Sequence, residues 1–140
     1  MSSDNVSAGQ QAVTLGTLAL SDNTGVASNY SLTSATLDIN AKPVSLSGTR
    51  VYDSLDTVAS ADLTISGTVS GQDLTLSGSG SMTAGANVGT NKTINTTGLS
   101  LGNGVSGTPG STSNYSLVGG THQITITQRP VTISGSRFYN

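Results

Sequence analysis

Apolar and polar residues alternate along much of this chain, in short runs separated by turns rich in Gly, Ser and Asn. A period of two residues places every second side chain on the same face, as in a half-buried β-strand. No window of 12 residues has the 3.6-residue period of an amphipathic helix. The clearest alternating runs cover residues 44–51, 63–69, 74–82 and 122–127. We therefore predict an all-β fold, with a hairpin that joins the second and third runs through a turn at residues 70–72.

Weaker patterns extend this prediction to both ends of the chain. The apolar positions of residues 13–20 and 30–39 each slip by one phase, which suggests bulged strands. Residues 131–138 repeat the pattern of residues 44–51 and are predicted to open the next unit as its first strand. Residues 102–113 are rich in Gly, Ser and Thr and predict a flexible surface loop.

One stretch of the sequence occurs twice. Residues 42–53 read KPVSLSGTRVYD, and residues 129–140 read RPVTISGSRFYN. A shorter stretch, SNYSL, precedes each copy, at residues 28–32 and 113–117. Asn29 and Asn114 lie 85 positions apart, and the first prolines of the long copies lie 87 apart. Self-similarity at such a period indicates a tandem repeat.

The positions of the copies predict how the chain is divided. We expect a flexible start at residues 1–11, the C-terminal part of a preceding repeat at 12–42, one complete module at 43–129, and the first strand of the next repeat at 130–140. Short strands joined by tight turns favour a small β-sandwich-like or β-grasp-like module. A solenoid with coils of about 20 residues is the alternative, although the self-similarity appears at the longer period.

Composition narrows the function. Charged residues make up 9% of the chain, aromatic residues 4%, and Trp and Cys are absent, so the core must be aliphatic and no disulfide can form. The net charge is −2 and the five basic residues are scattered, which predicts no nucleic-acid partner. No run reaches the ~20 apolar residues of a membrane-spanning helix, so we expect no membrane insertion. Such a composition is typical of secreted bacterial surface proteins; a cytoplasmic β-domain is the alternative.

Four segments in order carry a family resemblance: residues 43–53, 66–80, 87–94 and 114–135. Together they resemble the YDG repeat of large bacterial surface and two-partner-secreted, filamentous haemagglutinin-like adhesins. The resemblance implies an extracellular, stalk-like module at the bacterial cell surface, with no catalytic or ligand site. The chain departs from the family pattern at Ser54, where the family has Gly. If that Gly has a positive φ, Ser54 must be strained or the turn must differ.

Candidate chemistry is sparse. His122 is the single histidine, and we expect it at an edge or facing solvent, so no catalytic residue and no enzyme activity is predicted. A structural calcium near Asp53 and Asp56 is weighed against a turn in which an Asp side chain caps the backbone; no other cofactor is expected. Tyr52 and Tyr139 are predicted to pack at module ends with their hydroxyls bonded to backbone, with ordinary core tyrosines as the alternative. The predicted structural motif consists of Pro43, Gly48, Tyr52, Asp53, Tyr115, Pro130 and Tyr139.

These observations favour a stalk or spacer repeat that extends a distal binding region of an adhesin from the cell surface. The expected partners are neighbouring repeats of the same chain and a host or biofilm surface ligand. One alternative is a module that binds glycan or host protein through residues 102–113. Another is homotypic adhesion in a biofilm, because unpaired strand edges invite strand exchange between copies.

Overall fold

The computed structural model describes Val6 and residues 9–69 and 71–139, and their regular structure consists of strands and three short 3₁₀ turns. The predicted all-β fold is confirmed. The strands are β1 (Gln11–Ala12), β2 (Thr36–Leu37), β3 (Lys42–Pro43), β4 (Ser45–Val51), β5 (Thr57–Ala59), β6 (Thr64–Ser66), β7 (Gln72–Met82), β8 (Gly89–Asn95), β9 (Leu99–Asn103), β10 (Thr108–Pro109), β11 (Tyr115–Ser116) and β12 (His122–Thr127). The 3₁₀ turns are Ala27–Asn29, Ser60–Asp62 and Thr112–Asn114. No helix in this part of the chain is long and apolar enough to cross a membrane.

The main sheet is mixed and has eight strands, with β8 and β12 in the middle of its main path. Its main path runs β10-β7-β8-β12-β4-β6, while β5 and β9 pair with β7. Strands β4 and β12 are parallel over six residue pairs, from Leu46 beside His122 to Val51 beside Thr127. On their outer edges β12 pairs antiparallel with β8, and β4 pairs antiparallel with β6. The first and last long strands of residues 43–129 are therefore direct neighbours.

The predicted hairpin between residues 63–69 and 74–82 is wrong. β6 pairs with β4, where Ile65 lies beside Leu46, and β7 pairs with β5, β8, β9 and β10 instead. Alternation assigns each strand a buried face but does not choose its neighbour. Leu63 and Ile65 pack against the core next to β4, so the same apolar pattern is satisfied by a different partner.

The core is aliphatic, as the composition indicates. Its fully buried centre comes from β4, β5 and β12, and each such side chain contributes roughly 2 kcal/mol through the apolar area that it removes from water. Tyr52, Leu63 and Leu117 pack around this centre while partly exposed. The buried apolar residues are Val44, Leu46, Val58, Met82, Ile94, Leu99, Tyr115, Ile124 and Ile126.

The weaker strand predictions are mostly wrong. In residues 13–20 and 30–39 only β2 is regular, β1 precedes the first of these segments, and a turn occupies Gly16 and Thr17. Residues 131–138 form no strand, and Ile133 and Phe138 are 94% and 96% exposed. The first copy of that sequence is a strand because β12 and β6 pair with it. No strand in the described part of the chain pairs with the second copy.

Local structure recurs where the sequence repeats. The 3₁₀ turns Ala27–Asn29 and Thr112–Asn114 lie 85 positions apart. Each follows an extended residue and ends at a tyrosine in extended conformation, with φ of −128° at Tyr30 and −132° at Tyr115. In the first turn Ala27 N donates to the side-chain Oδ1 of Asp22 at 2.5 Å.

The same bond recurs at the second turn, where Thr112 N donates to Asn103 Oδ1 at 2.8 Å. A backbone bond of 2.8 Å also recurs, from Leu18 N to Leu15 O and from Leu99 N to Thr96 O. β1 pairs with β2 in the register that β8 keeps with β12. These features of residues 92–127 thus recur in residues 11–40, although the strands there are shorter or absent.

Residues 43–129 are called the central unit below. The segment that precedes this unit is attached to it. β3 pairs in parallel with β11, Val44 N donates to Ser116 O at 2.9 Å, and Val6 N donates to Asn114 Oδ1 at 3.0 Å. Only residues 38–41 separate β2 from β3. Pro43 lies in this short strand, at the junction where its sequence pattern predicted it, since proline cannot donate to a ladder.

Candidate functional site

Arg50 is the centre of a charged cluster at the end of β4. Its guanidinium donates from Nη1 to Thr57 O at 2.7 Å and from Nη2 to Leu55 O at 2.8 Å. It also pairs with Asp53 and Asp62, each at 3.3 Å. The side chain is only 14% exposed. Arg50 therefore attaches the loop after β4 to the strand from which that loop departs.

Gly48 allows this cluster to form. A Cβ on Gly48 would lie against the carbonyl of Asp62, much closer than the 3.0 Å that such atoms keep, and 3.2 Å from Leu63 Cδ2. Only glycine admits this close approach of the Ser60–Asp62 turn to β4. The approach brings the Asp62 carboxylate to Arg50. Gly48 and Arg50, both in the duplicated stretch, therefore contribute to the same ion pair.

Asp53 and Ser54 form the turn that follows. Asp53 Oδ1 accepts from Leu55 N at 3.0 Å, which is an Asx-turn. Ser54 has φ of 70°, in the left-handed region. The family resemblance predicted either a strained Ser54 or a different turn. The structure shows the first case, because Ser54 adopts a positive φ although it has a Cβ.

The calcium prediction centred on Asp53 and Asp56. The structure pairs Asp53 with the Arg50 guanidinium, while Asp56 is exposed and its backbone carbonyl accepts from Met82 N at 2.8 Å. Among the described residues, no group of three or more His, Cys, Asp or Glu side chains is placed to hold a metal ion. The capping alternative describes the observed geometry of Asp53.

The tyrosines differ from their predicted roles. Tyr52 packs against the core while partly exposed, but Tyr139 is fully exposed, so the predicted packing of Tyr139 is wrong. A bond from backbone to a tyrosine hydroxyl occurs at Tyr115 instead. Its ring is 5% exposed, and its hydroxyl accepts from Val69 N at 3.0 Å and donates to Gln72 Oε1. Tyr115 thereby connects β11 to the residues that begin β7.

His122 does not lie at a sheet edge, because β12 is flanked by β4 and β8. It is half-buried, and its Nε2 lies 2.7 Å from Leu117 O, which assigns the proton to Nε2. Its Nδ1 is buried without a hydrogen-bond partner among the described residues. The bond holds the tight turn that leads into β12.

Asp73 fixes the loop that was predicted to be flexible. Its Oδ2 accepts from the backbone N of Val105 at 3.0 Å, and from the N and Oγ of Ser106 at 3.1 and 3.2 Å. Partial burial alone would raise the pKa of this carboxyl, but these hydrogen bonds outweigh it and lower the pKa below the ordinary 3.8. Gly110 N also donates to Asp73 O at 2.9 Å. Residues 104–110 are therefore held on β7.

Lys92 is the one cation of the described residues that is buried. Its Nζ donates to Asn87 O at 2.6 Å and approaches Ala84 O at 3.5 Å. These bonds hold the loop between β7 and β8 over the end of the core. Lys92 therefore has a structural role, although no motif around it in the sequence indicates one.

An open groove of about 450 Å³ lies between β6 and β7. Asp73 is the one ionisable residue that lines it, and Leu63, Ile65, Leu74 and Leu76 supply its apolar walls. Two further grooves lie beside Tyr30 and beside Tyr115. In none of these three grooves do an acid, an imidazole and a hydroxyl converge on the lining residues.

Comparison with known proteins gives one match. The model of the YDG domain matches residues 36–125, which is well over half of the chain. The matched residues contain the Arg50 cluster and the main-sheet strands, with β12 included as far as Thr125. No curated protein and no solved structure matches the chain.

Proposed function

This chain belongs to the YDG domain family, and from that premise we propose that it is a stalk or spacer repeat of a secreted bacterial adhesin. In this role it would occupy length between the cell surface and a distal binding region, outside the cell. Its partners would be neighbouring repeats of the same chain, and it would perform no catalysis. The distal region would contact the host or biofilm ligand.

The attachment of residues 38–43 to the central unit carries the proposal. β3 pairs with β11, and Val44 N donates to Ser116 O at 2.9 Å, so the end of the segment between the two repeated structures is held by backbone bonds. Val6 N adds a bond of 3.0 Å to the side-chain Oδ1 of Asn114. A freely jointed linker would allow neighbouring units to fold back on each other. A bonded segment of this length supports a semi-rigid array.

Exposure at equivalent positions supports the view that residues 11–40 and 129–139 belong to repeats of the same kind as residues 43–129. Tyr30 is 69% exposed and Tyr139 fully exposed, whereas their equivalents Tyr115 and Tyr52 are buried and half-buried. Within the central unit the covering surface comes from the unit itself. Tyr30 and Tyr139 are therefore exposed at positions that a complete repeat covers with its own residues.

Small-angle scattering on two, four and six tandem copies of residues 43–129 tests the proposal. A semi-rigid array increases its maximum dimension in proportion to the number of copies. A flexible chain of beads increases it with roughly the square root of that number. A matched series with Gly-Ser insertions between Arg129 of one copy and Pro43 of the next should show the second behaviour, and identical curves for both series would refute the spacer mechanism.

Location at the cell surface has its own test. An antibody raised against residues 43–129 should label intact cells that produce the parent protein, as strongly as it labels permeabilised cells. Labelling that requires permeabilisation would contradict an extracellular stalk.

A further inference from the structure

Strand β2 lacks a neighbour that its equivalent possesses. β12 pairs with β8 on one edge and with β4 on the other. β2 pairs on one edge with β1, in the register of the β8–β12 pair. In the described part of the chain no strand pairs with the other edge of β2. This edge, residues 35–39, corresponds to the edge of β12 that binds β4, and an unpaired edge is a template for another strand.

The surface beside this edge is apolar. Leu37 is 44% exposed and Tyr30 69% exposed, whereas their equivalents Ile124 and Tyr115 are 1% and 5% exposed. In the central unit β4 contributes to the covering of Ile124 and pairs with β12 beside it. The missing occupant is therefore a strand of the β4 type.

The chain carries a segment of that sequence type, and no strand of the described residues pairs with it. Residues 129–139 repeat the sequence of residues 42–52, with Ile133 in the place of Leu46 and Gly135 in the place of Gly48. Their side chains are exposed, with Val131 and Ile133 at 85% and 94%. Alternation of apolar and polar side chains suits them to an edge on which one face becomes buried.

We propose that residues 130–139 of one copy add to the edge formed by residues 35–39 of a second copy, as a parallel strand in the β4–β12 register. That register places Ile133 beside Ala35, Gly135 beside Leu37, and Arg137 beside Ile39. Backbone hydrogen bonds supply the attraction and the alternating side chains supply the register, as in strand addition to a sheet edge. The inference depends on the equivalence of the repeats and not on the adhesin function.

The resulting assembly is head-to-tail. Donor strand and acceptor edge lie on different parts of each copy, so the contact is heterologous and each added copy presents a further donor strand. The expected products are dimers and longer open chains of copies whose mean mass rises with concentration.

Sedimentation velocity on the 140-residue chain, from micromolar to near-millimolar concentration, measures this association. In β4 the N–H groups of Val44, Leu46 and Tyr52 point toward the β11–β12 side. By alternation the N–H of Gly135 points toward the acceptor edge and that of Ser134 points away. Gly135→Pro should raise the concentration of half-association by about tenfold or more, and Ser134→Pro should leave it within about twofold.

Both substitutions lie outside the core, so far-UV circular dichroism should match that of the parent chain. A chain that stays monomeric throughout the series would overturn the proposal. So would equal effects of the two proline variants, because the hydrogen-bonding edge would then be irrelevant.

Cysteine cross-linking tests the register, since the chain has no cysteine of its own. Neighbouring Cα atoms across a ladder lie about 5 Å apart, within disulfide range. Differently tagged chains carrying Ala35→Cys and Ile133→Cys should form a mixed disulfide on mild oxidation. Ser136→Cys in place of Ile133→Cys should form about tenfold less. Equal yields, or preferential cross-linking of Ile133→Cys to Ile65→Cys on β6, would overturn the proposed edge.

Discussion

Gly48→Ala tests how the duplicated stretch stabilises the central unit. The new methyl group would overlap the Asp62 carbonyl and crowd Leu63 Cδ2 at 3.2 Å. Because the opposing atoms are backbone, the Ser60–Asp62 turn must retreat by about 1 Å, and overpacking of this kind costs 1–3 kcal/mol or somewhat more. The retreat also lengthens the 3.3 Å contact between Arg50 and Asp62, a partly exposed pair worth about 0.5 kcal/mol.

The expected total is about 3 kcal/mol in the free energy of unfolding, or roughly 12–24 °C in melting temperature for a unit of this size. Urea denaturation followed by circular dichroism measures the first quantity, and calorimetry the second. The repeat supplies a matched control, because a Cβ on Gly135 meets no atom within 4 Å. Gly135→Ala should change the free energy of unfolding by no more than about 0.5 kcal/mol.

Equal effects at Gly48 and Gly135 would refute the steric argument, and so would a loss below about 1 kcal/mol at Gly48. A double-mutant cycle separates the two contributions. If the methyl group acts partly by displacing Asp62, then Asp62→Asn should cost less in the Gly48→Ala background than in the parent chain. Strict additivity would show that the ion pair survives the clash.

Three further predictions follow from single contacts. Ser54→Gly should raise the free energy of unfolding by about 0.5 kcal/mol, since relief of the positive φ exceeds the entropic cost of glycine; a destabilised variant in urea denaturation would contradict this. Tyr115→Phe should lower it by about 1–2 kcal/mol because the Val69 N–H loses its acceptor, whereas the exposed Tyr30→Phe should have no measurable effect in the same assay. The folded-state pKa of Asp73 is lowered, so its contribution to stability is present above its unfolded pKa and lost as pH falls through the folded value. The stability difference between the parent chain and Asp73→Asn should therefore shrink in denaturation curves measured from neutral to acidic pH, and a constant difference would contradict the assignment.

Local alternation predicted the strands whose partners lie inside the central unit. Residues 44–51 and 122–127 became β4 and β12, because their apolar faces meet one aliphatic core. The identity of the neighbours could not be predicted in this way. β4 and β12 pair although more than 70 residues separate them in the sequence, and β6 pairs with β4 and not with β7. A period of two specifies a face, while pairing depends on contacts distant in sequence.

The second copy of the duplicated stretch shows that a strand-like pattern does not by itself produce a strand. Residues 44–51 and 131–138 have nearly the same pattern, yet only the first is a strand. Strand propensity reflects packing on a partner more than a preference of the backbone. Ion pairing was equally hidden, since Arg50 and Asp62 are 12 positions apart and meet only because Gly48 admits the intervening turn.

The parallel pairing of β4 and β12 has a mechanical consequence. The chain enters the unit at the start of β4 and leaves at the end of β12, so the two points lie at opposite ends of the paired strands, about 20 Å apart. A pulling force applied between them acts along the strands and loads all six residue pairs in shear at once. In an antiparallel pair both points would lie at the same end, so the force would break the hydrogen bonds one after another. Under such a force the longest parallel ladder of residues 43–129 would therefore bear the load.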